Sequence, residues 1–123
     1  MFPLDKGKQE LQLSITLIYD ALYRMGFKAN STGFFYLSYS VYLCVCYPDD
    51  KMFSREWLYQ RVGLRYHTHL RDIHQQVETI IIRAWKKDNK KISKMAGQEL
   101  EKRPSDMEII WYLYQFVMAQ YTM

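Results

Sequence analysis

The sequence predicts an all-α fold: a single domain of about six helices, without a wing, built around a helix-turn-helix. Three observations carry that prediction. Apolar residues recur at helical spacing in four separate stretches. Hydroxylated residues able to cap a helix stand just ahead of three of them, at Ser54, Thr68 and Ser105. A short helix, a tight break and a longer helix follow one another over about 54–87, which is helix-turn-helix spacing.

In the first element, from Gln9 to Met25, Leu11, Ile15, Ile18, Leu22 and Met25 fall at steps of four, three, four and three, one stripe of an amphipathic helix that Gly26 would stop. The run "FFYLSYSVYLCVCY" is rich in aromatic and β-branched residues, so propensity alone favours a strand. Its length favours a buried helix ending before Pro48, since a strand usually spans about five or six residues. Both readings stand on these residues alone. Ser54 caps "REWLYQRVGLR", with Trp57, Leu58 and Val62 as its apolar stripe, Leu64 as a further candidate, and Gly63 weakening its end. Thr68 is placed to cap the long helix that follows, with Leu70, Ile73, Val77, Ile80, Ile81 and Ala84 on one face. A helical turn near Ile92 to Met95 closes at Gly97. Ser105 and Glu108 then form the capping box "SDME", which starts a last helix through Ile109, Leu113, Phe116, Val117 and Gln120.

A chain of 123 residues with 49 % apolar content can bury one core without disulfides or metals, so residues 1–123 are read as one domain. Cys44 and Cys46 have no partner pair, which fits a reducing compartment, and "MFPLDKGKQE" is no secretory leader, so the expected location is cytoplasmic. The charge-free stretch from Ala29 to Pro48 holds too many polar residues, and too short an apolar portion, for a membrane span. Asp49 and Asp50 read as turn residues. From Lys51 to Lys94 there are eleven Lys or Arg against four acids, a net +7, while the rest of the chain carries −3. Such asymmetry is a footprint of polyanion binding, although charge runs also serve as solvated faces.

Pieces spread along the chain carry a family likeness: "LIYDALYRMGF", "GFFYL", "LYQRVGLRYHT", "VETIIIRAW" and "RPSDMEII". In order and spacing they resemble the C-terminal DNA-binding effector domain of stage-zero sporulation protein A, from roughly Leu13 to the C-terminus. The resemblance implies helix over strand for residues 34–46 and a helix-turn-helix that binds double-stranded DNA. Full-length members place a receiver domain ahead of this one, for which the 123 residues leave no room, so a diverged, stand-alone transcriptional regulator is the expected function. Where the family's recognition helix carries arginines, the matching positions here are Asp72, Gln75 and Glu78.

On that recognition helix Arg71 and Gln75 are the candidates to read guanine and adenine, because each can form two parallel hydrogen bonds with a base edge, and His74 is a third. Arg61, Arg65, Thr68, Lys86, Lys87, Lys90 and Lys91 are candidate phosphate contacts. The plainer reading of these lysines is helix-end complementation and a solvated loop, and that of Asp72 and Glu78 is repulsion of phosphate. Trp111, Tyr112, Tyr114 and Met118 populate further sides of the last helix and are candidate interface residues. If they are exposed, the alternative function is a protein-interaction module, a homodimer or an antagonist of another regulator that does not bind DNA. No metal site is expected, since His67, His69, His74 and the cysteines lack ligand spacing. No cofactor, small-molecule substrate or enzymatic activity is expected either, for there is no phosphate-cradling glycine loop, nucleophile elbow or matched acid pair.

Overall fold

The computed structural model describes residues 4–48 and 54–121, with side chains from residue 15 onward. Five helices follow in order: α1 (Leu4–Met25), α2 (Thr32–Cys46), α3 (Arg55–Tyr66), α4 (Leu70–Ala96) and α5 (Asp106–Tyr121). The described residues contain no strand. The turn at Asp49 and Asp50, the Leu11 side chain and Lys51 lie outside the described residues.

Helix α2 is the hub, packing against each of the other four. That position explains its composition: a helix covered on every side has no polar face to show, so it reads as an unbroken apolar run. Phe34, Leu37, Val41 and Cys44 are fully buried in it. The hydroxyls that interrupt the run are satisfied locally, Ser38 donating to the Phe34 carbonyl at 2.7 Å and Ser40 to that of Tyr36 at 2.8 Å. Burial pushes the Cys44 thiol up to about 12, so it stays protonated and behaves as a small apolar side chain.

Helix α1 contributes Ile18, Ala21, Leu22 and Met25 to the core, while Ile15 at the end of the stripe is exposed. Gly26, at φ 104, ends it in a Schellman turn: its N–H bonds the Tyr23 carbonyl and that of Phe27 bonds Leu22. Helix α4 buries Ile73, Val77, Ile80, Ile81 and Ala84 as expected, with Leu70 half-buried. The helical turn expected near Ile92 to Met95 and closed by Gly97 is present, as the segment of α4 beyond a kink at Asp88. Asp88 takes extended angles (φ −161°, ψ 86°), and its carboxylate accepts the Lys90 N–H at 3.1 Å. It therefore caps the renewed segment 89–96, which Gly97 closes at φ 74. In α5 the capping box forms in both directions, Glu108 N–H to Ser105 Oγ at 3.2 Å and Ser105 N–H to Glu108 Oε1 at 3.0 Å.

Three expectations for the central motif change. Thr68 does not cap α4. The N-cap is His69, without a side-chain bond, and Thr68 stands one residue too early, its N–H closing the end of α3 on the Gly63 carbonyl at 3.1 Å. Gly63 is also more than a weak point: a Cβ there would sit 2.6 Å from the Thr68 carbonyl oxygen. Its bare Cα lets the three-residue turn His67–Thr68–His69 fold back over the end of α3, with His67 in the left-handed region at φ 54. Leu64, a candidate for the stripe of α3, is 77 % exposed, and Tyr59 takes the core position instead.

Gly33 plays the equivalent part at the other contact of the recognition helix. A Cβ on Gly33 would lie 2.5 Å from the Gln76 carbonyl oxygen, so the start of α2 touches the backbone of α4 directly. Gly33→Ala is expected to push the two helices apart and cost about 1–3 kcal/mol, read as a lowered thermal midpoint in calorimetry; an unchanged midpoint would show that the contact does not constrain α4.

Candidate nucleic-acid interface

The exposed face of α4 begins two residues into the helix. Arg71 and Gln75 are exposed and four residues apart, hence stacked on one side, and Thr79 continues the row. Asp72 is exposed on the flank of this face, in the first helical turn, where its charge complements the helix dipole. Glu78 is half-buried and leans the other way, its Oε1 3.8 Å from His74 Nε2.

His74 parts company with Arg71 and Gln75. Its imidazole faces inward, Nε2 3.6 Å from Asp106 Oδ2, with its ring 6.1 Å from that of Tyr59. Here lies the feature that sequence reasoning missed. Asp106, the first residue of α5, is 1 % exposed and gathers partners from three helices. Arg55 at the start of α3 grips both carboxylate oxygens, Nε to Oδ2 at 2.9 Å and Nη2 to Oδ1 at 2.6 Å. Tyr59 donates its hydroxyl to Oδ2 at 2.8 Å, and the Met107 N–H bonds Oδ1 at 2.9 Å. Burial works to raise the Asp106 pKa, but the hydrogen bonds from Arg55 and Tyr59 and the charge of Arg55 outweigh it and hold the carboxyl below its ordinary 3.8. The bond to Asp106 in turn raises the Arg55 guanidinium, and burial followed by the carboxylate charge keeps Tyr59 firmly protonated. A charged, bidentate bond of this kind fixes direction as well as distance. Helices α3, α4 and α5 are thus tied at one point. A sequence signal existed in Asp106 sitting inside the capping box, but Arg55 is 51 residues away and nothing local pairs them.

The candidate phosphate contacts divide into separate groups. Arg61 lies flat on the Trp57 ring, 3.7 Å from its centroid, and donates to the Trp57 carbonyl at 3.3 Å. Arg65 turns toward α2, 5.4 Å from the Tyr39 ring, and borders a cavity of about 280 Å³ between α1, α2 and α3. Thr68 is half-buried in the turn. Lys86, Lys87, Lys90 and Lys91 are exposed on the C-terminal half of α4. Among the proposed interface residues of α5, Trp111 is 40 % exposed, whereas Tyr112, Tyr114 and Met118 are half-buried. Tyr112 and Tyr114 pack on the core. The surplus aromatics therefore serve largely to widen the buried side of the helix.

No group of three or more His, Cys, Asp or Glu among the described residues is placed to hold a metal ion, and no helix among them is long and apolar enough to cross a membrane. The family model described as the C-terminal domain of sporulation initiation factor Spo0A matches residues 18–117, which takes in the whole helix-turn-helix and the Asp106 cluster. The chain belongs to this family. The Spo0A C-terminal family is one of DNA-binding domains, not of enzymes. No curated protein sequence is significantly similar to the chain.

Removing the charge from this Spo0A-type domain at Asp106 has a calculable outcome. Asp106→Asn is expected to cost about 1.5–3 kcal/mol, the range for hydrogen bonds to charged groups, since the half-exposed Arg55 can rehydrate. The pH dependence follows from the lowered pKa. A carboxyl held below 3.8 contributes fully above that value, and the contribution fades as pH falls through the lower folded-state value. Denaturant unfolding from pH 6 downward should show the two proteins' stabilities converging at the acid end; a constant gap would mean that Asp106 titrates normally.

Proposed function

We propose that this chain is a DNA-binding regulator of transcription that enters the major groove with the N-terminal half of α4. The observation that carries the reading is the pairing of Arg71 and Gln75, exposed one turn apart on the open face of a helix whose opposite side is wholly committed to the core. Each has the donor geometry for a base edge, guanine for Arg71 and adenine for Gln75. His74 leaves the base-reading set and orients the helix from behind, through Asp106.

Electrostatics support the same reading. The two acids that would repel phosphate are not equivalent: Glu78 is half-buried, turns toward His74 at 3.8 Å and helps to hold Arg55 in its charged form. Asp72 alone stands on the rim of the reading face, beside Arg71. The exposed cations at the far end of α4 outnumber it, and at contact distances their field decides whether DNA is approached.

Titrating mixed-sequence duplex DNA at several salt concentrations tests the proposal. Neutralising about four phosphates gives a slope near −3.6 in log affinity against log salt. On a preferred site recovered by selection from random duplexes, Arg71→Ala or Gln75→Ala should each weaken binding by about 1–3 kcal/mol and leave random duplex nearly unaffected. Equal losses on preferred and random DNA would remove base reading from these residues, and a flat salt response would remove DNA binding altogether.

A further inference from the structure

Beyond the reading face, the C-terminal half of α4 forms one wall of a cleft with the turn that joins α1 to α2. The cleft has a volume of about 140 Å³, with an apolar floor of Phe27, Ile80 and Ala84 and a rim of Lys28, Asn30, Arg83 and Lys87. Lys91 joins from the renewed segment of α4, its side-chain Cδ lying 3.6 Å from where a Cβ on Gly26 would stand. Four cations from two parts of the chain therefore converge on one concavity. None of Lys28, Arg83, Lys87 and Lys91 has a carboxylate partner among the described residues.

Like charges brought together without an anion repel one another, and a protein does not gain from gathering them unless something negative is held there. The repulsion registers on Lys87: its side-chain interaction with Lys28, then the charges of Lys28 and Lys91, lower its pKa. The floor is apolar and the charged groups of the rim are all cationic donors, with Asn30 able to donate as well, so the chemistry admitted is a compact anion with several acceptor oxygens, which is to say a phosphate.

We infer that Lys28, Arg83, Lys87 and Lys91 form a phosphate clamp, and that its occupant is a backbone phosphodiester of the DNA strand flanking the groove that α4 enters. The choice of a strand phosphate over a free one rests on the DNA-binding reading above and on position. Arg83 stands eight residues beyond Gln75, about 12 Å along the helix and about 80° round it, so it points to the side of the helix and not along the Arg71–Gln75 row. A helix reading bases with that row turns this side to one wall of the groove, where the phosphates run. Lys28 adds a contact from outside the helix-turn-helix, which fixes the angle at which α4 lies by holding the strand against the α1–α2 turn.

The test uses the full chain and the double variant Lys28→Gln, Arg83→Gln, both changes being on exposed side chains. Against mixed-sequence duplex the variant should bind roughly five- to tenfold more weakly at moderate salt, evenly across sequences, with the salt slope shallower by about 0.9 for the one phosphate released. The charge-conserving pair Lys28→Arg, Arg83→Lys should bind as the parent does. If the Gln variant keeps the parent's affinity and slope while Arg71→Ala still loses its preferred site, the clamp is wrong and the DNA-binding reading survives. If the parent binds no duplex at low salt, that reading fails, and inorganic phosphate followed by amide NMR shifts judges the cleft alone. Saturable shifts at Gly26 to Lys28 that vanish in the Gln variant then assign it to a free phosphate, and their absence overturns the clamp.

Discussion

A single carboxylate, Asp106, organises the helix-turn-helix. It is buried and ionised, a combination that is costly unless every oxygen is answered, and here Arg55, Tyr59, the Met107 amide and the neighbouring His74 answer it. Hydrophobic packing would bring α3, α4 and α5 together in any of several registers, because an apolar face is tolerant of small slides. A two-pronged guanidinium bond is not. Removing the charge leaves Arg55 to water and a neutral, single acceptor oxygen where two charged ones stood, so the two-pronged bond is lost and the relative placement of the motif's two helices rests mainly on side-chain shape.

The glycines set the remaining distances. Gly63 lets the turn close over α3, and Gly33 brings the start of α2 onto the Gln76 carbonyl. Both contacts involve backbone on both sides, so neither can be relieved by a side chain changing rotamer. Together with Asp106 they locate α4 from three directions: from α3 through the turn, from α2 beneath Gln76, and from α5 beneath His74. The exposed row of Arg71, Gln75 and Thr79 is presented on a rod that is fixed in position and rotation, which any sequence-reading helix requires.

What the sequence made legible follows from range. Helical spacing placed α1, α3, α4 and α5, and local chemistry placed the Ser54 cap, the Ser105–Glu108 box and the Gly26 and Gly97 stops, since each depends on residues at most a few positions apart. Helix α2 was ambiguous on its own residues because a helix covered on all sides loses its period and keeps only composition, which for this run is that of a strand. Thr68 misled for a related reason: its side chain is a good cap, but its amide is claimed by Gly63, a tertiary fact of the turn. Arg55 with Asp106, and Lys28 with Lys87, are contacts across 51 and 59 residues, and no periodicity reports them. The sequence placed His74 on the exposed face with Arg71 and Gln75; that it turns toward Asp106 depends on a residue 32 positions away and was not legible.

The acids on the recognition helix show how scaffold and contact chemistry separate. Positions that match family arginines hold Asp72, Gln75 and Glu78, yet only one of these places an uncompensated negative charge on the reading face. Glu78 sits at the edge of the Asp106 cluster, 3.8 Å from His74 Nε2 and near enough to Arg55 to favour its charged form, so it extends that cluster outward. Gln75 trades a cation for a neutral side chain with a donor and an acceptor, which exchanges general attraction to phosphate for selective pairing with a base. Under the DNA-binding proposal, attraction that the N-terminal half of α4 lacks would come from Lys28, Arg83 and Lys87 around the cleft further along. One helix would then read with a nearly neutral half and hold with a positive one, and altering the first need not weaken the second.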